Sequence, residues 1–378
     1  MIEVPEIELG YPLTDGEIAV NNLESARQRS WSQFWRDPIR PGIAEVIVEQ
    51  EQLMAQFVGD LSAFDRLDML VNYLDQVDGE KARTALIHAQ VASLGHRFSD
   101  ARSYLSKVAG CGDLCAVANR LSLSIDQACG TNLDVVLEAR QRMAAESERL
   151  EDLVPLGALH ADRREFNEAD RIYQQALRSV VDPSPFSVAW VCFQLGTLWG
   201  ELVPEAHLTR AVFWYRKAIK YLPQYVKATV HLSEIYMRSG NVEDAEALLV
   251  AVVKSGDPEV SWHLADLMAT TGRLSEAEAL MKRARSEFEI LFGKHLLAFA
   301  DHAAEFYSGT GNDPRRAFEL ACLDLANRPT LRAFERAYAT ALAVEEAEQA
   351  ADILVSARDR WGTTPAFRLS PLHHYLAC

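Results

Sequence analysis

The chain has 378 residues, 49% of them apolar and 9% aromatic, which makes it too long for one compact core and too apolar for general disorder. A formal charge of -16 and a pI near 5.1 argue against binding a phosphate backbone, which needs clustered Lys and Arg, so no nucleic-acid partner is expected. The start of the chain lacks the basic flank and apolar run of a signal peptide, and no stretch is apolar for about eighteen residues, so the reading is a cytoplasmic protein with no membrane partner.

Residues 1–41 carry Pro5, Pro12, Pro38 and Pro41 and the aromatic run Trp31, Phe34 and Trp35 without clear periodicity, and read as an N-terminal arm lying on the rest of the chain. Segments 42–60 and 61–77 each have amphipathic helical spacing and form an expected helical cap over 42–80. The first 80 residues hold 16 Asp plus Glu against five Arg and no Lys, a net of -11, which leaves -5 for the remaining 298. A solvated face accounts for this acidity, and so does the steering of a basic partner. The six cysteines, spread along the chain, do not form the framework of a small secreted domain, and reduced thiols are expected.

From about residue 81 the chain repeats itself. Ala101, Leu105 and Val108 mark weak units over 81–149, and a clearer array runs from 150 to 362, followed by a tail at 363–378. Four segments share a Leu-small-x-x-large core: LGALH at 156–160, LGTLW at 195–199, LSEIY at 232–236 and LADLM at 264–268. Each precedes a second helix spaced four and then three: Ala169, Tyr173 and Ala176; Ala211, Tyr215 and Ala218; Ala245, Leu249 and Val252; Ala277, Met281 and Ala284. Residues so spaced share one helical face, and the small ones let paired helices approach closely. The second unit holds a three-residue insertion around ELVPEAH, and Pro223 and Pro329 stop helices where an array requires it.

This pattern resembles the tetratricopeptide repeat (TPR) family, whose unit has a W-x2-L-G-x2-Y helix followed by an A-x3-F helix. The family's Trp is replaced by Leu153, Cys192, Thr229 and Ser261, and AVFWYRKAIKYLP at 211–223 is similar to Sel1-like repeats. The resemblance implies an all-α superhelix, with the first helix of each unit lining a concave groove. Carried onto this chain, the groove positions are Trp190, Phe193, Gln194 and Thr197; Lys227, Val230, His231 and Glu234; Glu259, Trp262, His263 and Asp266. Of these, Trp190, Gln194, Lys227, His231, Glu234, Trp262, His263 and Asp266 are the candidate partner-binding residues. Family members that clamp a chaperone's C-terminal carboxylate carry several cations there, whereas this chain offers Lys227 alone. A basic or apolar peptide is the better match, although Trp190 and Trp262 are as readily explained by helix packing.

Motifs for chemistry are thin. His160-x-Asp162 has the form of half a facial triad, but His160 falls on a packing position of the repeat. Cys111 and Cys115 are two thiols without two further ligands. His295, His302 and Glu305 could share a helical face, a spacing that ordinary polar residues also produce, and His373, His374 and Cys378 read as a polar end. No P-loop, nucleophile elbow or HExxH is present. The chain therefore reads as a non-enzymatic adaptor or scaffold that holds a protein or peptide in its groove, with no cofactor and no metal. The alternatives are an accessory subunit or metal-dependent enzyme built on the array, and self-association in which the aromatic arm occupies the groove of a second copy.

Overall fold

The computed structural model describes residues 12–78, 81–108, 110 and 112–375, and among these it holds twenty α-helices and no strand. Three helices come first: α1 (Gly16–Arg36), α2 (Ile43–Leu53), which runs into a π-helical turn at Met54–Val58, and α3 (Ala63–Asp78). Antiparallel pairs come next: α4 (Ala82–Leu94) with α5 (Phe98–Val108), α6 (Cys115–Ala128) with α7 (Leu133–Ser147), α8 (Leu150–Asp162) with α9 (Phe166–Arg178), and α10 (Pro185–Thr197) with α11 (Leu208–Tyr221). Beyond them lie α12 (Val226–Arg238) with α13 (Val242–Val252), then α14 (Pro258–Thr270) and the long α15 (Leu274–Ser308). Helix α15 bends at His295, whose backbone leaves the helical region, so its first half closes one pair and its second half opens another with α16 (Pro314–Asn327). The chain ends with α17 (Leu331–Ala343), α18 (Ala347–Trp361) and the short α19 (Pro365–Arg368) and α20 (Pro371–Tyr375).

The repeat residues have visible jobs. Ala169, Ala176, Ala211, Ala218 and Ala245 are fully buried, as a close helix crossing demands. A methyl placed on Gly157 would lie 2.8 Å from the Tyr173 ring, and one on Gly196 would lie 2.5 Å from the Tyr215 ring. The small residue of the first helix is therefore the socket for the large residue of the second. The four positions that replace the family's Trp are all buried, from Leu153 at 2% to Ser261 at 1% exposed. The insertion after α10 is a π-helical turn at Leu198–Leu202 and a short loop; it sets the Trp199 indole to donate to Asp170 at 2.7 Å and to lie under the Arg210 guanidinium at 3.6 Å.

The aromatic stretch that shows no periodicity in sequence belongs to α1, a 21-residue helix capped by Asp15. Trp31 and Phe34 are buried against α2 and α3, and the Trp31 indole donates to Glu51 at 2.6 Å. Glu51 has no exposed surface and is also gripped by Arg66 at 2.6 Å and Arg27 at 3.2 Å, so a buried carboxylate ties α1, α2 and α3 together.

These helices lie along one edge of the array, where consecutive pairs join. The Thr14 amide donates to the Pro183 carbonyl at 2.8 Å. Phe57 packs on Phe186 and Tyr225 with ring centres 5.3 and 4.7 Å away, and Asp65 meets Lys294 at 2.7 Å and His295 at 3.0 Å. Further on, Asn327 donates to the His96 carbonyl, and Arg164 reaches Glu335 and the Leu369 carbonyl. Such partners are 129 to 231 residues apart in the chain, and they advance together along it. The superhelix is therefore wound so tightly that its first turn rests on its second.

Replacing Gly196 with Ala should destabilise the fold by about 2–3 kcal/mol, because the buried Tyr215 ring cannot retreat. A denaturant titration that leaves the midpoint unchanged would refute this account of the repeat motif.

Candidate functional site

Polar residues on the first helices of the pairs meet across pair boundaries. In the π-helical turn after α10, the Glu201 carboxylate lies 2.7 Å from His231 Nδ1 on α12 and accepts a hydrogen bond from the Tyr215 hydroxyl at 2.9 Å. The His231 ring is stacked flat on Tyr215. Lys227, one turn earlier on α12, reaches Glu259 at 2.7 Å and Asp257 at 3.4 Å, both at the start of α14. Glu259 is shared with His302 on the second half of α15, 2.7 Å away. Asp301 beside it pairs with Arg328 at 2.7 Å, and Glu305 lies 3.5 Å from Arg336 on α17. Acid–base pairs thus connect each inward helix from α10 to α17 with its neighbour, like the rungs of a ladder.

Burial and pairing set the protonation of this wall. Burial alone would raise Glu201, yet the adjacent His231 charge and the Tyr215 hydroxyl hold it down at about 2. Burial opposes charge on His231, and Glu201, Glu234 and Glu259 outweigh it and raise the imidazole to about 9. Lys227 is likewise raised against burial by Asp257 and Glu259, while Lys227 and His302 hold Glu259 well below the usual range despite its burial. Glu234 differs. It stands 3.5 Å from both His231 and His263, and among the described residues its carboxylate accepts no hydrogen bond. Burial, aided by Glu201 and Glu305, lifts it to about 7. His263, buried and stacked on Trp262, is pushed down to about 4.

Lys227, His231 and Glu234 form one stripe on α12, and Trp190 and Gln194 another on α10, each residue half-buried. Trp262 is buried between α14 and α15, where its indole donates to the Thr310 hydroxyl at 2.8 Å, and His263 is buried beside it. Asp266 is half-buried, and burial raises its carboxyl. The structure therefore gathers Lys227, His231 and Glu234 into the ladder and places the Trp262 ring in packing. Sequence reasoning did not single out Glu201, which lies in the π-helical turn outside the repeat register, or the pairing of Glu259 with Lys227 and His302.

The other sequence motifs do not converge. His295 turns to Asp65 and Asp68, His302 to Glu259, and Glu305 to Arg336, so the three do not share a site. His160 contacts Glu165 at 2.5 Å and is a buried packing residue. Cys111 and Cys378 lie outside the described residues, and among those no group of three or more His, Cys, Asp or Glu side chains could hold a metal ion. No helix among the described residues is long and apolar enough to cross a membrane.

Paired helices, each with a small residue meeting a large one, recur in register along the chain. The fold is a TPR-like superhelix. No family model matches the sequence, and no curated protein matches it. Among solved structures the chain is similar to MamA, with 19% identity, a TM-score of 0.35, and 42% of this chain covering 90% of that one. It is also similar to the Cut9–Hcn1 hetero-tetramer of APC/C, with 14% identity and a TM-score of 0.42, over 88% of this chain and 62% of that one. A third is YrrB, described as a TPR protein with an unusual peptide-binding site, with 14% identity and a TM-score of 0.31 over 62% of this chain and 97% of that one. These superpositions are partial, and the TPR-like assignment rests on the helix pairs of the chain itself.

The ladder has a pH signature. The raised His231 adds stability that is complete below about pH 6.5 and lost as pH rises through about 9. The depressed Glu201 adds stability that is complete above about pH 4.5 and lost as pH falls toward about 2. Melting temperature should fall between pH 6.5 and 9.5 in the wild type and fall less in His231→Gln; equal slopes would remove the pair from the stability of the fold.

Proposed function

We propose that this protein is a non-catalytic scaffold that holds an extended segment of another protein against the inward face of its superhelix, with a basic side chain of that segment at Glu234. The observation that carries the reading is the state of Glu234. Its neighbours on the same wall have partners at 2.7 Å, whereas Glu234 is half-buried, stands 3.5 Å from His231 and His263, and has its carboxyl raised to about 7 by burial. A carboxylate in that state gains most from an incoming cation, which would supply the missing charge-assisted bond.

Two further features agree with it. The chain's charge of -16 draws basic segments toward it and raises their encounter rate. The half-buried Trp190 beside Gln194 on α10 offers apolar surface next to the charged stripe, so a basic residue flanked by apolar ones is the best match. The half-buried side chains of Lys227 and His231 would flank the backbone of the segment. Localisation in the cytoplasm belongs to the same reading. The arm-swapped dimer draws no support from Trp31 and Phe34, which are buried in the chain's own core, and of the aromatic run Trp35 alone is exposed.

The test is selection from a library of randomised 12-residue peptides by the purified protein, followed by affinity measurement. Peptides carrying Lys or Arg beside apolar residues should be enriched, and Glu234→Gln should weaken them about tenfold, the worth of one charge-assisted hydrogen bond. Affinity should also drop below about pH 7, as Glu234 takes up its proton. A selection without basic residues, or one indifferent to Glu234→Gln, would overturn the reading.

A further inference from the structure

The seam where the first superhelical turn rests on the second differs in chemistry along its length. At one end it is fused into the main hydrophobic core: Ala19, Leu23, Met54 and Phe57 belong to the same cluster as the residues of α8 to α14. Fit there is tight. A methyl on Gly16 would lie 2.5 Å from the Tyr221 carbonyl oxygen and 2.7 Å from the Pro223 ring, and one on Gly59 would lie 3.0 Å from Val226. Opening this end would expose core, and nothing but unfolding comes of that.

The other end is held by polar contacts between turns. His96 Nδ1 donates to the Leu297 carbonyl at 3.2 Å, and Asn327 donates to the His96 carbonyl at 2.9 Å. Arg360 donates to the Gly130 carbonyl at 3.0 Å. Arg164 donates to the Leu369 carbonyl at 2.6 Å and pairs with Glu335, which also accepts from Ser370 at 2.5 Å. The apolar component there is the edge of Trp361 against Gly130, with Leu133 at the margin of the C-terminal core, and the Phe64 ring on Phe299, centres 5.5 Å apart, marks the boundary with the fused end. Hydrogen bonds and partly exposed ion pairs exchange for bonds to water at a small net cost each, far below the loss of a core.

A seam with one welded and one hydrogen-bonded end is a hinge and a latch. We propose that the superhelix opens at the seam between residues 96–164 and 297–369, with α1 and the π-helical turn after α2 as the fixed end, and that Arg164 is the principal latch residue. Arg164 qualifies because it makes two cross-turn contacts from the α8–α9 turn. Opening widens lateral access to the ladder wall. In consequence a segment internal to a folded partner could be admitted laterally, without threading a chain end along the axis. That consequence rests on the ladder wall being the binding surface; the opening itself does not.

The experiment therefore uses the full chain without a partner. Arg164→Ala combined with Asn327→Ala should leave helical circular dichroism unchanged, increase the radius of gyration in small-angle X-ray scattering, and speed amide exchange in α17 and the second half of α15 by about tenfold or more. Arg164→Lys, which keeps the charge but not the paired geometry, should fall between. Unchanged scattering and exchange in the double variant would overturn the latch. So would a loss of helical signal across the whole chain, since the seam would then be part of the folding core. Peptide affinity of Glu234→Gln reports separately on the binding surface, so either idea can fail without the other.

Discussion

The shape of this protein depends on how closely the two helices of a pair can approach. Where Gly157 faces Tyr173 and Gly196 faces Tyr215, no Cβ separates backbone from ring, and the ring fills the space that a Cβ would need. That contact sets the crossing of these two pairs, and buried alanines such as Ala169 and Ala211 keep it close along the second helix. Repeated in register, the crossing accumulates as curvature. The curvature is enough to bring residues about two hundred positions apart into hydrogen-bond range, as His96 and Leu297 are.

Curvature also concentrates charge. The inward helices converge, so acids and bases that would be solvated on a straight helix meet across pair boundaries: Glu201 with His231, Lys227 with Glu259, Glu259 with His302. Each rung compensates the burial of its members. Glu234 is the exception in this wall: it stands 3.5 Å from both His231 and His263, and burial raises its carboxyl to about 7. The N-terminal helices use the same device in a different role, with Glu51 completely buried and satisfied by Arg27, Arg66 and the Trp31 indole.

The two superhelical turns stay in contact through unequal means, and the inequality gives the molecule a direction of motion. Ring packing of Phe57 on Phe186 and Tyr225 is non-directional and insensitive to water, whereas the Arg164 and Asn327 contacts can be replaced by solvent one at a time. A chain that is regular at the level of its pairs thus becomes asymmetric at the level of the coil.

The sequence by itself determined the helix pairs, their boundaries near the prolines and the identity of the residues at each crossing. These depend on contacts within about twenty residues, such as Gly196 to Tyr215, and a spacing rule reads them directly. It also grouped Lys227, His231 and Glu234 on one face of α12, where the structure leaves all three half-buried. It missed α1, whose buried residues Ala19, Leu23, Ser30, Trp31 and Phe34 serve two different neighbours and so keep to no single stripe. It also proposed His295, His302 and Glu305 as one face, although the bend at His295 turns that residue to Asp65 instead. Only the tertiary structure decided the ladder partners and the seam between turns. Those contacts arise from the summed rotation of many pairs, and a small change in each crossing would move them by more than the length of a hydrogen bond.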